Sequence, residues 1–157
     1  MRIDELSIRF AKEFLITQPE TYASILAAIV NAQEAQIKGP SIGLPIHLKR
    51  AFKNEGWGDE APTVEDWPHT RRFELFKSRV AIEIEFSRYE FIYRDFIRFL
   101  AAYNANKIDV GVIITNTREG LERIKYKSSG PNYERVLEEL DWLRPTLTVP
   151  LWVIGLR

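Results

Sequence analysis

The spacing of apolar residues along the chain changes character near Arg71. Upstream, helical spacings dominate. Leu6, Phe10 and Phe14 recur at i, i+4 and i+8, which predicts one apolar stripe on a short first helix. Thr17 and Glu20 have capping-box spacing, and Pro19 suits a first helical turn. The run Tyr22, Ile25, Leu26, Ile29, Val30, Ile37 then predicts a second helix stopped by Gly39. A third helix is expected from Pro45 to Glu55, closed by Gly56, and residues 57–70 follow neither period and read as loop. Downstream, Phe73 and Leu75, then Val80, Ile82, Ile84 and Phe86, alternate with other residues as in a β-hairpin with one buried face. Tyr89, Ile92, Phe96, Phe99, Leu100 and Tyr103 return to helical spacing. Ile108 to Thr115 and Val149 to Leu156 are near-continuous β-rich runs, as in strands buried on both faces, with a helix from Asn132 to Leu143 between them. The pattern predicts an α/β fold in one domain, residues 1–157: a mixed central sheet, made of the hairpin plus two further strands, flanked by helices.

Composition narrows the class. The chain has 157 residues, no Cys, and 45% apolar residues, enough to bury a core without disulfides or a structural metal. The absence of Cys excludes a disulfide framework, Cys-ligated zinc and Cys nucleophiles. Its longest uncharged stretch, Thr21 to Gln33, is 13 residues, short of a membrane span of about 20. The first residues do not read as a signal peptide, and a cytoplasmic protein is expected. The 22 basic and 22 acidic residues balance, which argues against a polyanion binder held by net field. Residues 1–70 hold 7 basic and 10 acidic residues, whereas residues 71–157 hold 15 and 12, so a nucleic-acid contact is expected as a local patch in the second half.

The hairpin carries candidate chemistry. A loop of Lys77-Ser78, or of Phe76 to Arg79, places Leu75 opposite Val80 and Glu74 opposite Ala81. Phe73, Leu75, Val80, Ile82 and Ile84 then share one face, while Glu74, Glu83 and Glu85 share the other. Glu74 becomes the diagonal neighbour of Glu83, with Cα atoms about 7–8 Å apart, near enough for both to reach one ion. Gathered carboxylates repel, and a hard cation such as Mg²⁺ resolves the conflict and activates water toward a phosphodiester. Alternating Glu residues also describe an ordinary solvated sheet face.

The run from Phe73 to Tyr89 resembles the catalytic core of the BglII-type restriction endonucleases, within the PD-(D/E)XK nuclease superfamily. So do Lys107 to Val112, Ser128-Ser129-Gly130 followed by Tyr133-Glu134, and the closing Val149-Pro150-Leu151 with Ile154-Gly155. The resemblance implies a restriction-endonuclease-like fold and hydrolysis of double-stranded DNA by a homodimer, with Mg²⁺ as cofactor and Mn²⁺ as a substitute. It assigns Glu74, Glu83 and Glu85 as catalytic and metal-ligating residues. The first position is usually Asp and the third often Lys or Gln; Glu85 resembles the BamHI variant, which has Glu there. Glu can accept a proton from water.

Arg88, Lys107, Lys125, Lys127, Ser128 and Ser129 are the candidate DNA contacts, joined by Arg118 and Arg123; such residues position phosphates without reading bases. His47 and His69 lie apart from any acid at ligand or triad spacing and read as surface or packing residues. Gly111 reads as a close-packing position, and Trp57 and Trp67 as loop anchors. A metal-dependent endodeoxyribonuclease and a catalytically silent relative that binds DNA or a protein are the two functional expectations.

Overall fold

The computed structural model describes residues 2–38, 43–58, 73–123 and 130–157. Five strands form one mixed sheet in the order β1-β5-β4-β3-β2. They are β1 (Ile3–Ile8), β2 (Leu75–Lys77), β3 (Val80–Ile84), β4 (Val110–Asn116) and β5 (Leu151–Leu156). β3, β4 and β5 are mutually parallel, and β1 and β2 close the two edges antiparallel to β5 and β3. The parallel steps need crossovers, which α4 (Phe91–Asn104) supplies between β3 and β4, and α5 (Arg118–Arg123) with α6 (Tyr133–Leu143) between β4 and β5. Helices α1 (Ala11–Ile16), α2 (Pro19–Lys38) and α3 (Leu44–Asn54) precede the hairpin.

The three parallel strands are buried along their whole length, which explains their continuous apolar runs. On one face, Val80, Ile82, Ile84, Val112, Ile114 and Trp152 pack on Ile25, Ile29, Leu48 and Phe52 of α2 and α3. On the other, Ala81, Ile113, Leu151 and Val153 pack on Ile92, Phe96 and Phe99 of α4 and on Val136 and Leu140 of α6. Trp57 is buried, meets Phe52 edge-on at 5.6 Å and donates its indole N–H to Ser24 Oγ at 3.0 Å, so it anchors the chain after α3 as expected. Trp67, His69 and Gly39 lie outside the described residues. A Cβ on Gly111 would sit 2.7 Å from both Leu151 Cδ2 and Phe99 Cδ1, so this glycine does mark a close approach of α4 to the sheet.

Three expectations need correction. The stripe Leu6, Phe10, Phe14 does not lie on one helix, for only Phe14 falls in α1. Ile3–Ile8 is an edge strand, registered with Leu6 opposite Val153 and Ile8 opposite Leu151. A spacing of four is also a multiple of two, and pairing with the open edge of β5 decides between the periods. Arg9 and Phe10 then turn the chain with φ of 52° and 60°, which leaves Phe10 exposed. Secondly, Thr17 Oγ1 donates to the Phe14 carbonyl at 2.7 Å, closing α1 instead of capping α2. Thirdly, the hairpin turns at Ser78-Arg79, and its register pairs Leu75 with Ile82 and Lys77 with Val80. Both turn residues have positive φ, 49° and 62°, as a type I′ hairpin loop requires. The Arg79 guanidinium fixes the turn by donating to Asp109 Oδ2 and Oδ1 at 3.0 and 2.9 Å and to Asn106 Oδ1 at 2.8 Å. The register differs from expectation by an even number of residues, so the facing of β3 is preserved. Phe73, however, crosses to the α4 side, stacking on Phe99 with centroids 5.2 Å apart, because the chain bends at Glu74.

Candidate active site

Alternation along β3 sends Ala81, Glu83 and Glu85 toward α4 while Val80, Ile82 and Ile84 face α2 and α3. Glu83 and Glu85 sit at the carboxyl end of the parallel strands, and both are buried. The Glu85 amide continues the ladder by donating to the Ile114 carbonyl at 2.9 Å. Glu74 lies one residue before β2, where the observed register brings it level with Glu83. One of its carboxylate oxygens accepts from the Ile84 amide at 3.1 Å and the other from Lys49 Nζ of α3 at 2.8 Å. All three predicted carboxylates therefore gather around one strand end.

They do not share one partner. Glu85 Oε1 accepts from the Ser87 amide at 2.9 Å and from Ser87 Oγ at 2.8 Å. Glu83 Oε1 lies 2.7 Å from Arg98 Nη1 of α4. Among the described residues, no three acidic or histidine side chains converge tightly enough to enclose an ion. Burial pushes the Glu83 carboxyl up to about 8; the Arg98 guanidinium opposes this, and the charges of Asp95 and Glu74 reinforce it.

Asp95 is a residue that sequence reasoning missed. It is wholly buried on α4, 3.4 Å from Arg94 Nη2 and 3.6 Å from Arg98 Nη1. Its carboxyl is raised to about 7 by burial, with Arg94 and Arg98 opposing and Glu85 reinforcing. The signal was available: Asp95 stands between Ile92 and Phe99 at i+3 and i−4, inside the apolar stripe, where a charge is buried and needs a partner. Arg94 and Arg98 are stacked on aromatic faces, Arg94 on Phe91 at 4.2 Å and Arg98 on Phe73 at 4.8 Å from the ring centroids.

The donor set fits a hard divalent cation. It consists of carboxylate oxygens, with Glu83, Glu85 and Asp95 buried and the guanidiniums of Arg94 and Arg98 beside Asp95 and Glu83. Glu83 Oε1 and Asp95 Oδ2 are buried oxygens with no hydrogen bond, despite the ion pair that Glu83 makes.

Of the predicted DNA contacts, Arg88 is exposed three residues beyond Glu85, with its guanidinium 5.9 Å from the centre of the Phe91 ring. Arg118 is exposed at the carboxyl end of β4, the same end of the sheet, and its amide donates to the Glu134 carboxylate at 2.9 Å. Lys107 is not brought to that end. It follows α4 at the opposite pole, beside the Arg79 turn and the start of β4. Lys125, Lys127, Ser128 and Ser129 lie outside the described residues. His47 is partly buried on α3, in keeping with a packing role. No helix among the described residues is long and apolar enough to cross a membrane.

Comparison with known proteins bears on this geometry. The family described as restriction endonuclease BglII/BglIII matches residues 3–156. No curated protein sequence matches the chain. Among solved structures, restriction endonuclease BglII complexed with a DNA 16-mer is similar with a TM-score of 0.77 at 20% identity, over 99% of this chain and 76% of that one. Free BglII is similar with a TM-score of 0.70 at 20% identity, over 100% of this chain and 80% of that one. These likenesses establish the fold, and the match across residues 3–156 places the chain in the BglII/BglIII restriction endonuclease family.

Proposed function

We propose that this protein is a Mg²⁺-dependent endodeoxyribonuclease that hydrolyses phosphodiester bonds of double-stranded DNA and works as a homodimer in the cytoplasm. The observation that carries the reading is the grouping of Glu74, Glu83 and Glu85 at the carboxyl end of β3, in a chain of a restriction endonuclease family.

Glu74 and Glu83 would hold Mg²⁺, with Mn²⁺ as a substitute, and Glu85 would serve as a further ligand or as general base. A bound divalent cation supplies Lewis acidity toward the phosphate and charge neutralisation as the P–O bond breaks. The chain's own part is positional and protolytic. Ser87 holds Glu85 Oε1 through two hydrogen bonds, which fixes the carboxylate for accepting the proton of an attacking water. The water oxygen bonds to phosphorus and the leaving oxygen departs with its electron pair. Arg88 and Arg118, exposed at the same end of the sheet, are suited to backbone phosphates, and Lys125, Lys127, Ser128 and Ser129 extend the same basic segment.

The test is incubation of supercoiled plasmid and a mixed-sequence linear duplex with Mg²⁺, Mn²⁺ or EDTA, beside Glu83→Ala. Metal-dependent cutting that disappears in the variant is the expected result. DNA retention in a gel shift without cutting under either metal would instead identify a silent binding module.

A further inference from the structure

Arg98 has an unusual setting for a charged residue on a crossover helix. Its side chain is only 11% exposed, one guanidinium nitrogen lies 2.7 Å from Glu83 Oε1, and the same nitrogen lies 3.6 Å from Asp95 Oδ1. Its planar group also lies over the Phe73 ring at 4.8 Å, and Phe73 is itself stacked on Phe99 one position further along α4. The guanidinium is therefore held from three directions: a ring beneath it, one carboxylate on its own helix and one on β3. A lysine offers a point charge on a flexible stem and reproduces none of this planar geometry. Glu83, in turn, has no hydrogen bond to its Oε1 among the described residues, so this contact is what orients that oxygen.

We infer that Arg98 is a positioning residue for Glu83, and that Asp95 and Phe73 position Arg98. The inference rests on the reading of Glu83 as a ligand of the divalent cation. A metal-ligating side chain acts through its outer partners as well as its own oxygens, because they set which way its lone pairs point. In this chain the outer partner comes from α4, the element that also carries Asp95. The sheet supplies the carboxylate and the helix supplies its aim.

The rival explanation is that the ion pair only fastens α4 to the sheet. Arg98→Lys and Asp95→Asn separate the two, since each keeps size and polarity. Three readings are needed for each variant and for the wild type: melting temperature, Mn²⁺ affinity by titration calorimetry without DNA, and the metal dependence of cleavage. The expected result is near-wild-type melting, Mn²⁺ affinity weakened by about tenfold to a hundredfold, and a matching rise in the metal concentration for half-maximal cleavage. Retention of duplex DNA in Ca²⁺ should be unchanged. Combining the two substitutions should weaken Mn²⁺ binding no further than Arg98→Lys alone, because Asp95 acts through Arg98. Should Arg98→Lys melt early, Phe73→Leu leaves both charges in place and removes only the ring, with an expected loss of about threefold in Mn²⁺ affinity.

Variants that bind Mn²⁺ and respond to metal as the wild type does would overturn the inference while leaving the nuclease reading intact. So would losses that follow melting temperature alone. A wild type that neither binds Mn²⁺ nor cuts would instead remove the nuclease reading on which it rests.

Discussion

The two faces of β3 are equally buried and chemically opposite. Val80, Ile82 and Ile84 enter an apolar layer with Leu48, Phe52 and Trp57, where Ser24 accepts a hydrogen bond from the Trp57 indole. Ala81, Glu83 and Glu85 enter a layer where Asp95 and Arg98 sit among Phe73, Phe96 and Phe99. Burying charge costs more than pairing returns unless the geometry is favourable, whereas burying aliphatic surface is favourable outright. One face of the strand thus stabilises the fold that the other face strains. Burial alone does not tell these roles apart; residue chemistry at alternate positions does.

The largest expected effects break this comparison from both sides. Ile82→Ala should cost about 2–5 kcal/mol in urea unfolding, because a fully buried side chain leaves a cavity that the sheet cannot close. Its cleavage per folded molecule should persist. Glu83→Gln should do the reverse, leaving metal-free stability unchanged or improved and abolishing cleavage. If Ile82→Ala also silences the folded enzyme, the two faces are not separable in function.

Stability against pH sharpens the contrast next. Glu83 has its carboxyl raised from 4.5 to about 8 and Asp95 from 3.8 to about 7. Between those limits the folded chain holds protons that the unfolded chain has released, so stability falls as pH rises. The stabilising protonated form is fully present below the unfolded values and is lost through the folded ones. In EDTA, chemical unfolding from pH 5 to 8 should show a decline on the order of a few kcal/mol, shared between the two coupled acids. Glu83→Gln should flatten much of it. Parallel pH curves for the two proteins would show that Glu83 is not held protonated by its surroundings.

The periods of the chain made α3, α4, β4, α6 and β5 legible, because each buries a face wide enough to repeat. The facing of Glu83 and Glu85 was legible for the same reason, and the family resemblance pointed to the same residues. Three features escaped. β1 forms through pairing with β5 at the far end of the chain, and no local period reports a free edge. The partners of the carboxylates, Lys49 for Glu74 and Arg98 for Glu83, are likewise set by tertiary contact. The hairpin register was missed because Ser78-Arg79 lacks the Asn-Gly signature, and Asp109, thirty residues on, makes the turn acceptable.

Gly111 offers a smaller perturbation confined to the charged face. A Cβ there meets Phe99 Cδ1 and Leu151 Cδ2 at 2.7 Å, so Gly111→Ala should cost about 1–3 kcal/mol by overpacking. Phe99 adjoins Arg98 on α4, and pushing the helix outward moves the guanidinium away from Glu83. Cleavage per folded molecule should therefore fall, in contrast to Ile82→Ala. Wild-type cleavage in Gly111→Ala would mean that α4 relaxes without disturbing the cluster.

The smallest expected effect lies at the hairpin turn, which sets the register of both faces at once. Ser78 and Arg79 both occupy the left-handed region, which an L-residue with a Cβ enters at a cost and Asn enters more readily. Ser78→Asn should raise stability by at most ~1 kcal/mol, or about 2–4 °C in melting temperature. Arg79→Gly relieves the same strain but removes the paired bonds to Asp109, so it should show no net gain. Because Lys77 stays opposite Val80 in either case, Glu83 keeps its facing, and cleavage should match the wild type. A change in cleavage from Ser78→Asn would mean that the register can slip by one residue, which would exchange the apolar and the charged faces of β3.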